Sequence, residues 1–231
     1  LNPGELLNAD GRLKEAGYAT TLNRRYDRAA IHAGHLRIKE WDYYCIADET
    51  VVLALTLADN SYMGLDSASL IDLPMGWQQT KSFMRLLPMG KTNLPATSQT
   101  GDVAIQRPGY QIRFENKHGA RKLTAHIDNF CDGKALDAEI TLSGTPEDSM
   151  VIATPFTGKP RHFYYNQKIN CLCAQGYVTL GGDSHVFEPD RANAVLDWGR
   201  GVWTYRNTWY WSSASGRVNG VPFGFNLGYG F

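Results

Sequence analysis

Tyr110-Gln-Ile-Arg-Phe-Glu-Asn-Lys-His-Gly-Ala-Arg-Lys-Leu-Thr-Ala-His-Ile127 alternates with a period of two. Tyr110, Ile112 and Phe114 fall on one face, and Gln111, Arg113 and Glu115 on the other. After the turn Asn116-Lys117-His118-Gly119, Leu123, Ala125 and Ile127 alternate with Lys122, Thr124 and His126. Successive side chains of a strand point to opposite sides, so the stretch predicts a hairpin with one buried face.

The same pattern extends outward. Leu136, Ala138, Ile140 and Leu142 alternate with Asp137, Glu139 and Thr141. Upstream, Val51, Leu53, Leu55 and Leu57 oppose Val52, Ala54, Thr56 and Ala58. Residues 62–73 and 77–87 continue the meander across Pro74-Met75-Gly76. Residues 88–101, rich in proline, threonine, serine and asparagine, read as a long loop. Further strands are expected at 161–174, 176–180, 202–213 and 221–231. One short helix is expected after Glu188-Pro189-Asp190, from Arg191 to Leu196, because proline suits the first turn and aspartate the positive end of the dipole. Many short strands and one short helix predict an all-β, antiparallel sandwich or barrel.

In Phe223-Gly-Phe-Asn-Leu-Gly-Tyr-Gly-Phe231, aromatic and aliphatic residues share one face, and Gly224, Asn226, Gly228 and Gly230 the other. Glycine in a strand marks a close backbone approach, a bend, or room for something. The alternation is still running at Phe231, so the natural chain is expected to continue.

Composition limits the function. The 231 residues are 43% hydrophobic and 20% charged, enough apolar content for a packed core. Lysine plus arginine equals aspartate plus glutamate, 23 of each, so nothing in the net charge favours nucleic acid or an anionic membrane. No stretch approaches the ~20 apolar residues of a spanning helix. The start has no basic-then-apolar leader, and Cys45, Cys131, Cys171 and Cys173 form no disulfide framework, so reduced thiols and a cytoplasmic location are expected. His32 and His35 have no third ligand, so no metal is expected. Gly182-Asp-Ser-His185 is not a nucleophile elbow, and Gly199-Arg-Gly201 lacks the rest of a phosphate loop.

Two constellations carry chemistry. In the strand 36–46, Glu40 and Asp42 share a face with Leu36, Ile38, Tyr44 and Ile46, while Lys39, Trp41 and Tyr43 share the other. Carboxylates among apolar groups either line a wet cavity or pair with arginines. The second is Asp197-Trp-Gly-Arg-Gly-Val-Trp-Thr-Tyr-Arg-Asn-Thr-Trp-Tyr-Trp211, with four of the six tryptophans. Extended, it puts Trp203, Tyr205, Asn207, Trp209 and Trp211 on one face. Such rings can hold a ligand, and Arg200 and Arg206 can stack on them or bind an anion. The alternative is that the tryptophans are core and Asp197 locks Arg200 as a structural pair.

Lys39-Glu-Trp-Asp-Tyr-Tyr44, Asp197-Trp-Gly-Arg-Gly-Val-Trp203, Trp209-Tyr-Trp-Ser-Ser-Ala-Ser-Gly216 and Gly224-Phe-Asn-Leu-Gly228 together resemble the bacterial family known as domain of unknown function 2804. That family is distantly similar to the paired lipocalin-like barrels of carotenoid hydratases and fungal Diels–Alderases. The resemblance implies lipocalin-like barrels in tandem: a first β domain at 1–175 and the beginning of a second at 176–231. It implies a fold rather than an activity, and the hydratase motifs do not align here.

Three functions follow as expectations. The first is an enzyme acting by acid–base chemistry on a hydrophobic or amphiphilic small molecule, without a cofactor, as a hydratase, isomerase or cyclase would. Asp197 would be the acid or base, Arg200 its orienting or anion-binding partner and Tyr205 a second proton handle. Trp41, Asp42, Tyr44, Trp198, Trp203, Arg206, Trp209 and Trp211 would bind the ligand. The second is a non-catalytic carrier of a lipid or isoprenoid. The third is a scaffold whose aromatic segment packs on other protein.

Overall fold

A computed structural model describes residues 1–117 and 119–230; His118 and Phe231, and with them the tip of the turn at 116–119 and the end of the last strand, lie outside the described residues. The strands are β1 (Gly4–Glu5), β2 (Gly17–Ala19), β3 (Arg24–Arg25), β4 (Ile38–Ala47), β5 (Val51–Asp59), β6 (Met63–Asp72), β7 (Trp77–Leu86), β8 (Val103–Arg107) and β9 (Tyr110–Lys117). They continue as β10 (Ala120–Cys131), β11 (Lys134–Ser143), β12 (Met150–Phe156), β13 (Lys159–Leu180), β14 (Asp183–Phe187), β15 (Asn193–Val202), β16 (Tyr210–Val218) and β17 (Val221–Tyr229).

The predicted hairpin is there: β9 and β10 pair antiparallel, with Phe114 opposite Leu123 and Ile127 opposite Tyr110. It belongs to a thirteen-stranded sheet whose main path runs β7-β6-β5-β4-β15-β13-β11-β10-β9-β8. The sheet curls on itself in a lipocalin-like half-barrel. Its ends meet through side chains rather than a ladder: the rings of Phe83 on β7 and Tyr110 on β9 lie 4.2 Å apart. Lys81 Nζ donates to the Asn129 carbonyl at 3.1 Å. The concave side is filled by Ile46, Leu53, Leu55, Leu57, Ile112, Leu123, Ile127, Leu136, Ile140 and Leu142, all fully buried. Each such side chain contributes about 1.5–3 kcal/mol. The residues of 88–101 form the expected loop, and its Leu94 is buried.

Two local expectations are corrected. Residues 191–196 are not a helix; Asn193 opens β15, and nine of its ten residues are buried. A strand buried on both faces loses its polar–apolar alternation and cannot be told from a buried helix by period. Residues 202–213 are not one strand. β15 ends at Val202, opposite Phe163 of β13 and opposite Ile38, the first residue of β4. Residues 203–209 form a loop before β16.

The expected strands 161–174 and 176–180 are one strand, β13, and the division expected at 175/176 falls inside it, where Gln175 pairs with Thr141 and Gly176 with Ile140. A bulge interrupts β13 between Ile169 and Leu172. There the separate β16–β17 hairpin docks: Asn170 Nδ2 donates to the Ala214 carbonyl at 2.7 Å, and the Cys171 N–H to Ser215 Oγ at 3.0 Å. Of the three roles open to a strand glycine, Gly224 has the close approach: a Cβ there would meet Asn170 Cβ at 2.7 Å.

Candidate functional site

Three central strands fix the site by register. Lys168 on β13, Asp197 on β15 and Tyr43 on β4 lie side by side; so do Asn166, Gly199 and Trp41, and then Tyr164, Gly201 and Lys39. Alternation sends these rows to the convex face of the sheet, away from the barrel core. Gly199 makes the middle row possible, because a Cβ there would sit 2.1 Å from Trp41 Cζ2. The indole lies flat in the gap.

Trp203, Trp209 and Trp211 close over these rows. With Lys39, Trp41, Tyr43, Thr56, Asn60, Tyr164, Lys168 and Asp197 they enclose a cavity of about 310 Å³. Trp203 packs 5.1 Å from both Trp41 and Tyr164, centroid to centroid. The loop at 203–209 therefore brings three predicted tryptophans together although they do not share a strand.

The charges in the cavity are ordered. Asp197 Oδ1 accepts from Lys168 Nζ at 2.9 Å and from Asn166 Nδ2 at 2.6 Å. Lys168 is buried, and its ammonium lies 4.0 Å from the centre of the Trp211 ring. Burial holds the Lys168 pKa below the ordinary lysine value, against the opposing pull of Asp197. Burial likewise raises the Tyr43 and Tyr164 phenols well above their usual value, so both stay protonated.

The other predicted residues lie elsewhere. Asp42, Tyr44, Trp198 and Arg200 point into the barrel core and do not line the cavity. The expected pairing of Asp197 with Arg200 does not form, because the two project from opposite faces of β15. Arg200 Nη2 instead bonds Asp42 Oδ1 at 2.9 Å and the Pro95 carbonyl at 2.7 Å. Its guanidinium stacks 4.3 Å from the Trp198 ring centre. Glu40 is also paired inside, accepting from the Tyr26 hydroxyl at 2.8 Å and from Arg28. Tyr205 is 81% exposed and Arg206 is exposed in the same loop, with Arg37 4.8 Å from the Tyr205 ring centre. Tyr205 is not among the residues that line the cavity.

Lys39, Tyr43, Tyr164 and Lys168 are site residues that the sequence argument missed. For Lys39 and Tyr43 a signal existed, since they share a strand face with Trp41. A wider cleft of about 430 Å³ opens at another end of the barrel between Trp77, Cys131, Leu180 and His185, but His185 is engaged by Asp48 at 2.7 Å. Among the described residues no group of three or more His, Cys, Asp or Glu side chains is placed to hold a metal.

Fold and site define a lipocalin-like half-barrel with an aromatic cavity on its convex flank. The family model for the domain of unknown function DUF2804 matches residues 1–231, and the chain belongs to that family. An AttH-like protein from Nitrosomonas europaea superposes with a TM-score of 0.55 at 15% identity, over 84% of this chain and 62% of its own. The chain thus spans less than two thirds of that neighbour's length. Kievitone hydratase from Nectria haematococca matches with a TM-score of 0.42 at 10% identity, over 98% of this chain and 70% of its own. At 15% identity the likeness to the Nitrosomonas protein speaks to fold alone. No curated protein matches the chain by sequence.

Proposed function

We propose that the cavity takes up a hydrophobic or amphiphilic small molecule and that Asp197 performs acid–base chemistry on it. The supporting observation is a carboxylate facing a tryptophan-lined cavity while held 2.9 Å from a buried lysine. In that setting Asp197 accepts a proton from the ligand and returns it at another atom. Lys168 keeps the carboxylate charged and oriented, the part first expected of Arg200. The protonated Tyr43 and Tyr164 hydroxyls are donors for a developing oxyanion. No cofactor is needed for such a transfer, which suits a hydratase, isomerase or cyclase.

The second reading is a carrier, favoured by the share of the cavity wall given to aromatic rings. Incubation in D₂O with bicyclic aromatic ketones, enones and alcohols, followed by NMR, separates the two. The enzyme reading expects deuterium incorporation or addition of water in a bound ligand, lost in Asp197→Asn while the variant stays folded. Binding without exchange favours the carrier, and no binding by any compound overturns both.

As part of the same proposal, the four cysteines, all free, suit the reducing cytoplasm. No helix among the described residues is long and apolar enough to cross a membrane. The 210–229 hairpin, a sheet of its own, is proposed to belong to a β unit distinct from the half-barrel, in place of the second domain expected over 176–231.

A further inference from the structure

The cavity wall holds two cations and one anion. Asp197 is matched to Lys168. Lys39 has no hydrogen-bond or ion-pair partner among the described residues, and sits 5.7 Å from the Trp203 ring centre. Arg37 adds a second positive charge nearby. Burial and the nearby Arg37 together hold the Lys39 ammonium below the ordinary lysine range. An unpaired, partly desolvated cation at one end of an apolar cavity is costly unless something anionic arrives.

The rings exclude the opposite ligand. Aromatic faces can cage an ammonium group, but here Lys39 and Lys168 already occupy the faces of Trp203 and Trp211. A cationic ligand would find those faces taken and two like charges beside it. The cavity, about 310 Å³, is at the small end of ligand pockets, which span roughly 300–1,000 Å³. One or two fused rings suit it.

We propose that the ligand of this cavity is a planar aromatic monoanion, a carboxylate or phenolate. Lys39 receives its charge, and its rings lie against Trp41 and Trp209. This rests on the small-molecule reading above and names the ligand's chemical class.

Isothermal titration of the full chain with 2-naphthoate, neutral 2-naphthamide and cationic 2-naphthylmethylammonium tests it. The wild type is expected to bind the naphthoate at least tenfold more tightly than the amide, and the ammonium weakest of all. Lys39→Gln should lower naphthoate affinity at least tenfold, to the level of the amide in the same variant. Lys122→Gln, at an exposed position on β10, controls for net charge and should change nothing. If the wild type binds amide and naphthoate equally, or Lys39→Gln keeps the preference, the charge assignment is overturned while the small-molecule reading stands. If none of the three binds, both fail.

Discussion

Strands β4 and β15 present two faces made from alternate residues of the same two segments. The inner face carries Glu40, Asp42, Trp198 and Arg200, and every charge on it has an opposite charge in contact. The outer face carries Lys39, Trp41, Tyr43 and Asp197, and there Lys39 has no ion-pair partner among the described residues. Polar and aromatic content is similar on both sides. What differs is closure. The loop at 88–101 seals Arg200 through the Pro95 carbonyl, whereas the 203–209 loop and the β16–β17 hairpin roof the outer rows. The inner charges are sealed in the core, and the outer ones border the cavity.

The contrast can be broken most directly at Arg200. Arg200→Met leaves Asp42 buried without its cation, and burial already raises that carboxyl's pKa against the pull of Arg200. A loss of about 3–5 kcal/mol is expected in urea unfolding, or roughly 10 °C in Tm for a chain of this length. Adding Asp42→Leu should recover much of it. An unchanged Tm in Arg200→Met would remove the distinction between the faces.

Asp197→Asn should cost less, about 1–3 kcal/mol, because a lysine can shed its proton where an arginine cannot. The Lys168 pKa is already lowered by burial. Between that lowered value and the ordinary 10.5 the unfolded chain binds more protons, so the variant's stability should rise with pH. Thermal melts from neutral to alkaline pH check this; a flat profile would mean that Lys168 stays charged and paired elsewhere.

Gly199→Ala tests the outer face alone. The new methyl would displace the Trp41 indole into the cavity. The expected cost is about 1–3 kcal/mol, with loss of 2-naphthoate binding. A variant of normal stability that still binds would show that Trp41 does not form the floor.

The smallest effect lies on another strand, where exposure weakens the pair. His126 Nδ1 meets Asp137 at 2.6 Å, and that hydrogen bond raises the imidazole pKa above 6.5. Its stabilisation is full below about pH 6.5 and fades as pH rises through the raised value. NMR titration of His126 should move toward 6.5 in Asp137→Asn. Identical titrations in the two proteins would reject the pairing.

Much of the fold was legible because alternation is a local property of the backbone. The hairpin at 110–127 and the loop at 88–101 were readable from their own residues. β15 was not, because burial on both sides erased the contrast that marks a strand. Part of the candidate site is legible by residue type: Trp41, Asp197, Trp203, Trp209 and Trp211 line one cavity. Lys168 and Tyr164 were hidden, since they reach the cavity only through the register of β13 against β15.

The sequence by itself determined that this chain is β-rich, which side chains share a strand face, and that rings and charges crowd residues 197–211. The tertiary structure decided which face turns inward. It joined Arg200 to Asp42, 158 positions away, and Asp197 to Lys168 rather than to Arg200. Side-chain alternation needs only the neighbouring peptide units. The partner of a buried charge depends on strand order across the sheet and on what covers each face, which only the folded chain supplies.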